Sequence, residues 1–375
     1  MAPSSRSSSP LEPASQASAA TRSASLGAAR ARTSAKGSAW VLLIATIPLA
    51  GCYLAHLADG QARLMWRARP IARVLDDPAT ESELRDELAR VEAVRSFAAG
   101  LGLQVGDQYR SYAAWPGDRV VTAVVATRPG EIEPAGFWFP WVGHVPYKGF
   151  FELASAEQEA VRLRSEGLDV CLVPIPAYST LGWLADPVTT PMLEGGTGVM
   201  AETLIHELVH ATVYVPSDAD FDEGVATFIG EEGAVRFFEG DPEAQARQRA
   251  RVADERAVAR ALSELRARIA ALYADPDPGG GARAARRAAL EMEARTALAA
   301  LPHENAEWAA ALPLNDACLA LAGTYERDLD EYAALLAEHG GDLRAFVETV
   351  RAAARASDPR AALGLPVRSP AAASR

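Results

Sequence analysis

One run constrains this chain more than any other: Thr203-Leu204-Ile205-His206-Glu207-Leu208-Val209-His210. Apolar residues at 204, 205, 208 and 209 recur at helical spacing and would bury one side of a helix. His206 and His210 then stand one turn apart on one face, so both imidazoles can reach a single metal ion. Glu207 points to the neighbouring side, where its carboxylate reaches a water on that ion rather than the ion itself. Burying two imidazoles and a carboxylate is costly unless each has a partner. The chain has only six histidines, so two at this spacing argue for a built site inside a core.

His-Glu-x-x-His on a helix is a zinc-binding arrangement. Catalytic zinc keeps three protein ligands and one open position, so one ligand is still missing. Downstream the chain reads Asp220-Phe221-Asp222-Glu223-Gly224-Val225-Ala226-Thr227-Phe228. Apolar residues at 225, 228 and 229 predict a second helix with Glu223 near its start. Pro216 ends the first helix, and the return brings Glu223 back over the two histidines. The metzincin pattern needs a third histidine soon after the motif, and none is there. Zinc lowers the pKa of a bound water toward ~7, and Glu207 is placed to act as its general base.

His206-Glu207-Leu208-Val209-His210 followed by Phe221-Asp222-Glu223-Gly224-Val225-Ala226 resembles the gluzincins, zinc peptidases whose third ligand is a glutamate. More closely, the chain is similar to a bacterial family of predicted aminopeptidases attached to the membrane or exported to the periplasm. Gly51-Cys52-Tyr53, Gly60-Gln61, Arg69-Pro70-Ile71, Phe137-Trp138-Phe139-Pro140, Tyr147-Lys148-Gly149-Phe150-Phe151, Ala177 to Trp183 and Leu314-Asn315-Asp316-Ala317 carry that likeness. It departs in reading Phe-Asp-Glu-Gly where Phe-Asn-Glu-Ala is expected, which leaves the ligand in place. The resemblance implies that a strand before the metal helix holds the peptide backbone, which falls on the run with Tyr178, Ser179 and Thr180. It also implies an oxyanion donor from a later helix, for which Tyr325 is the candidate, with Asn315 as a polar wall of the pocket. Tyr178 and Tyr325 are equally explicable as core aromatics. Glu202, Glu231 and Glu232 can hold a substrate's amino terminus or be ordinary surface acids.

The N-terminus reads as an export signal. A Ser-, Ala- and Arg-rich stretch up to about Lys36 has no apolar periodicity and is expected to be disordered. Basic residues then precede an apolar run at 39–50 that ends in Leu49-Ala50-Gly51-Cys52. These four residues resemble a bacterial lipobox, which implies lipidation of Cys52. Tyr53 in place of Asp points to the outer membrane rather than the inner one. The competing reading is an uncleaved anchor continuing weakly to Ala58, against which Pro48, Gly51 and His56 argue. Both place the folded part outside the cytoplasm, facing the periplasm. The net charge of −12 divides into a leader of about +4 and a body near −16. Such a body repels phosphate backbones and excludes nucleic acid as a partner. Of three cysteines, Cys171 and Cys318 can pair in an oxidising compartment or stand as buried thiols.

The expected organisation is a leader with signal segment at 1–51, one zinc peptidase-like domain at 52–356, and a disordered tail at 357–375. The fold class is α+β, mostly α: a zincin-like domain with a small mixed sheet before the metal helix and a helical C-terminal part. Leu84, Leu88, Val91, Val94 and Phe97 mark an amphipathic helix. Val120 to Ala126 and Asp169 to Val173 are β-branched runs predicting strands. Ala-, Arg- and Glu-rich segments about Asp275-Pro276-Asp277-Pro278-Gly279-Gly280-Gly281 predict a helical hairpin over about 243–301. Thr197 is a possible cap of the metal helix. The reading is a peptidase with a zinc cofactor and a peptide substrate. Its alternatives are an envelope lipoprotein with a structural metal site and a hydrolase of non-peptide amides.

Overall fold

The computed structural model describes residues 38–139, 143–177, 184–216, 218–276, 279, 281–302, 306–322 and 328–365, with side chains from Tyr53 onward except at 139, 143, 219 and 306. Helix accounts for 61% of it and strand for 11%, so the chain is α+β and mostly α. The chain divides into two units, Met1–Leu49 and Ala50–Arg375. Helix α1 (Ser38–Arg67) begins in the first and ends in the second. Among the described residues no helix is long and apolar enough to cross a membrane.

β1 (Ala68–Pro70), α2 (Ile71–Asp76), α3 (Ser82–Gly100) and β2 (Ser111–Ala113) follow α1. The α3 stripe buries Leu88, Val91, Val94 and Ala98, with Leu84 and Phe97 partly covered. β3 (Val121–Thr127) is buried along its whole length because both faces are covered. β4 (Phe137–Phe139) and β5 (Gly143–Val145) form a hairpin, and β6 (Tyr147–Phe150), α4 (Leu153–Ser165) and β7 (Asp169–Ile175) complete the middle of the chain. β3 lies between β6 and β7, antiparallel to both, with Thr122 opposite Phe150 and Pro174. Alternation along β3 sends Val124 and Ala126 to α4, and Val125 toward Cys171 and Ala317.

β8 (Val188–Thr189) runs parallel to β2, and β1 pairs with β2 antiparallel. It leads into α5 (Thr190–Glu194) and α6 (Gly196–His210), the helix that carries both histidines. Thr197 does not cap α6. The helix opens on two glycines, with Gly196 at φ 78°, and Gly195 occupies the cap position without a side-chain bond. α7 (Ala219–Phe237) packs along α6, and α8 (Pro242–Ala274) and α9 (Ala282–Ala299) form a pair of long helices. α10 (Ala306–Ala311), α11 (Asp316–Leu319), α12 (Leu329–Glu338), α13 (Leu343–Ala353) and α14 (Pro359–Ala362) finish the chain.

The main core joins α3, α6, α7, α12 and α13. Leu204, Ile205 and Leu208 meet Phe221, Val225 and Phe228, with Tyr332 and Phe346 beyond. Residues 358–365, expected within a disordered tail from 357, are folded. Asp358 caps α14 by accepting from Ala361 N at 2.9 Å, and Leu363 and Leu365 are buried in the core. Pro359, which reads as a breaker, sits at the start of that helix, where a missing N–H costs nothing. Cys171 on β7 and Cys318 in α11 are joined by a disulfide across 147 residues.

Candidate metal centre

Local chemistry places the two helices that matter. Leu204, Ile205, Leu208 and Val209 are buried on α6, which turns the 206/210 face toward α7. Asp218 begins α7 by accepting from Phe221 N at 3.1 Å, satisfying one of the free N–H groups of the first turn. Asp222 accepts from Val215 N at 2.9 Å. That bond ties the turn after α6 to the first turn of α7, directly beside Glu223. Burial pushes the Asp222 carboxyl up to about 6, against the lowering effect of the Val215 N–H and His210.

The helices also approach closely. A methyl on Gly230 would stand 3.1 Å from the Glu202 carbonyl oxygen and 3.2 Å from His206 Cβ. Gly233 sits likewise against Ile205. A residue without Cβ lets the α7 backbone reach the His206 turn with no neighbour having to give way.

The result is a convergence of three donor atoms. His206 Nε2 and His210 Nε2 are 3.1 Å apart, and Glu223 Oε2 lies 3.4 Å and 3.6 Å from them. A point equidistant from all three atoms is about 2.0 Å from each, the length of a Zn–N or Zn–O bond. Glu223 Oε2 is buried with no hydrogen-bond donor properly aimed at it. Two imidazoles and a carboxylate turned inward around such a point are the donor set of zinc, so the residues present fit that ion. Among the described residues this is the group of His, Cys, Asp and Glu side chains close enough together to hold a metal ion.

The three groups are strongly coupled. Burial would depress His210, but Glu223, helped by Glu207 and Asp222, more than reverses that and raises it. Burial would raise Glu223, yet the neighbouring imidazoles of His206 and His210 hold it at about 2. The carboxylate is therefore charged at neutral pH, as a ligand must be.

Around this centre lies a ring of ion pairs that periodicity does not reveal. Glu202, one turn before His206, is bound by Arg251 of α8. Burial still pushes its carboxyl up to about 7. Glu231 of α7 accepts from Arg256 Nε at 2.7 Å, and that guanidinium lies 5.9 Å above the Phe228 ring. Glu232 pairs with Arg236 at 3.8 Å. The acids that sequence offered for a substrate's amine are thus engaged with arginines. α8 braces both α6 and α7, one through each of these arginines.

Asn315 is placed elsewhere. Its amide donates to Asp169 Oδ1 at 2.8 Å and Val170 O at 3.2 Å, and its oxygen accepts from Cys318 N at 3.3 Å. The amide nitrogen thus latches α11 to β7, and the oxygen caps α11. Tyr178, Ser179, Thr180 and Tyr325 lie outside the described residues, as does the Cys52 side chain.

A family profile described as "Putative aminopeptidase" (Aminopep) matches residues 52–363. No curated protein and no solved structure matches the chain.

Proposed function

Since the chain belongs to the Aminopep family, we propose that it is a zinc-dependent peptidase of the cell envelope that removes residues from peptides with a free amino terminus. The observation that carries this reading is the triangle of His206, His210 and Glu223, sized for one ion. Three ligands rather than four favour a catalytic site over a structural one. When bound there, zinc supplies a Lewis acid and a water made acidic enough to be deprotonated near neutral pH.

The chain's own residues do the rest. Glu207 takes the proton from the attacking water and passes it to the departing amine. Asp222 and the α6–α7 turn keep Glu223 against the imidazoles. Glu202 and Glu231, bound to Arg251 and Arg256, hold the two helices in place from behind.

The disulfide supports an exported location, because such bonds persist in oxidising compartments. The apolar run and lipobox-like Leu49-Ala50-Gly51-Cys52 supply the route there, with a lipid on Cys52 as the anchor.

The test is a peptide panel with free and blocked amino termini, run with and without chelator on the parent and Glu207→Gln chains. Free-terminus peptides should be cleaved by the parent alone, and chelation should stop it. The substituted chain should keep its zinc while turnover falls by ~100-fold or more, the scale of a lost general base. A Glu207→Gln chain that cleaves at the parent rate refutes the mechanism. Cleavage of blocked peptides alone refutes the aminopeptidase assignment.

A further inference from the structure

A buried guanidinium shapes the loop between α3 and β2. Arg95 donates to Gly106 O at 3.1 Å and to Gln108 O at 2.7 Å, and Glu92 balances its charge at 2.9 Å. The loop turns at Gly102 and Gly106, with φ of 88° and 41°, and again at Tyr109, whose φ is 58°. Glycine adopts such angles freely, whereas a bulky residue there is strained. Tyr109 is nevertheless buried in the core that holds α6 and α7. Backbone strain of this kind persists only where the surroundings over-determine it, and it gathers at active sites and ligand clamps.

Those surroundings lie on both sides of the helix that carries the histidines. On the side entering it, the Gln108 amide donates to Leu184 O and accepts from Asp186 N at 3.0 Å, and Tyr109 N donates to Asp186 O at 2.8 Å. The contact continues through the parallel pairing of β2 with β8 to Thr190, the first residue of α5, whose hydroxyl accepts from Trp115 N at 3.1 Å. On the side leaving α6, Gln104 N donates to Thr212 Oγ1 at 2.8 Å. The same hydroxyl donates to Leu208 O at 2.7 Å. That carbonyl belongs to the last turn of α6, where helix carbonyls lack partners of their own, and Leu208 stands between the two histidines in sequence.

We propose that the loop of residues 104–109 is a clasp that holds the chain on both sides of α6 and so sets where His206 and His210 stand, with Gln108 and Thr212 as positioning residues. This rests on the reading of His206, His210 and Glu223 as a zinc site. The physical need is plain. Apolar packing against α7 is non-directional and leaves α6 some freedom along its axis. Hydrogen bonds are directional, and bonds made before and after the helix remove that freedom. A metal centre needs this, because its ligand distances must fall within ~0.2 Å of ideal.

The test is zinc affinity, measured on the full chain by competition with a chromophoric chelator, with thermal melts of the metal-free protein alongside. Thr212→Val keeps the side-chain shape and loses the hydroxyl, while Thr212→Ser keeps the hydroxyl. Gln108→Leu keeps the size and loses both bonds to the 184–186 segment. Thr212→Val and Gln108→Leu should each bind zinc about tenfold more weakly than the parent, the lower end of the effect of residues that orient ligands. Thr212→Ser should recover the parent affinity. Should one of the two variants fail to fold, the other decides. A lower melting temperature with unchanged zinc affinity in a folded variant shows a loop that only stabilises the fold, and overturns the proposal. A parent that binds no zinc overturns the reading beneath it, whereas a zinc-binding parent with equally tight variants overturns the clasp alone.

Discussion

Replacing Glu223 with Gln removes the one charge that makes the donor set a metal site, and its effect can be worked out for the metal-free and metal-loaded protein separately. In the metal-free chain the carboxyl is held at about 2 against an ordinary 4.5. At ~1.4 kcal/mol per pH unit that difference is roughly 3 kcal/mol of coupling to the imidazoles. The side chain is 26% exposed, so solvent screening leaves about half of it, ~1.5 kcal/mol. The sign follows from the two partners. His210 is raised, so its share is present in full below its unfolded value near 6.5 and fades as pH rises through its folded value. Glu223 is lowered, so its share is present above its unfolded value near 4.5 and fades as pH falls through about 2. The pair therefore stabilises most between pH ~4.5 and ~6.5. In chelator, the melting temperature of Glu223→Gln should fall below the parent by about 3 °C near pH 5.5, with a smaller gap at pH 8. For zinc, loss of a direct ligand should weaken binding by more than the ~100-fold upper value known for outer-shell partners. Thermal melts across pH and zinc competition against a chelator measure both. A melting gap that is flat from pH 4 to 8, together with unchanged zinc affinity, refutes the placement of Glu223 as the third ligand.

Gly230→Ala should test the close crossing of the two helices. The new methyl, 3.1 Å from the Glu202 carbonyl, costs ~1–3 kcal/mol of overpacking less ~1 kcal/mol of helix preference. Because it presses on His206, zinc affinity should drop about tenfold by ligand displacement, and unchanged affinity counts against the crossing. Cys171→Ser or Cys318→Ser opens a loop of 147 residues, worth up to ~5 kcal/mol by chain entropy. Denaturant unfolding of the oxidised and reduced parent should show the same loss, and superimposable curves refute a stabilising disulfide.

Much of the centre was legible along the chain because its signals are local. Two histidines one turn apart and apolar positions 204, 205, 208 and 209 specify a buried helix with a metal face, whatever lies around it. Pro216 and the apolar run from Val225 specify the return that carries Glu223. The β-branched run from Val120 to Ala126 announces a strand, found at Val121–Thr127. The likeness from Cys52 onward agrees with the family match over 52–363.

Other features depend on residues far apart in sequence, and no period or spacing encodes them. Asn315 reads along the chain as a pocket wall, and its bond to Asp169, 146 residues away, is visible only in the fold. Glu202 and Glu231 look like free acids until α8 delivers Arg251 and Arg256 to them. Pairing of Cys171 with Cys318 needed β7 and α11 to be neighbours. The amino-acid sequence alone determined which atoms can bind a metal, since ligand chemistry and helical period are properties of adjacent residues. Tertiary packing decided how far apart those atoms stand, because the separation of two helices is set by what meets at their contact, here the bare backbone of Gly230 against the His206 turn.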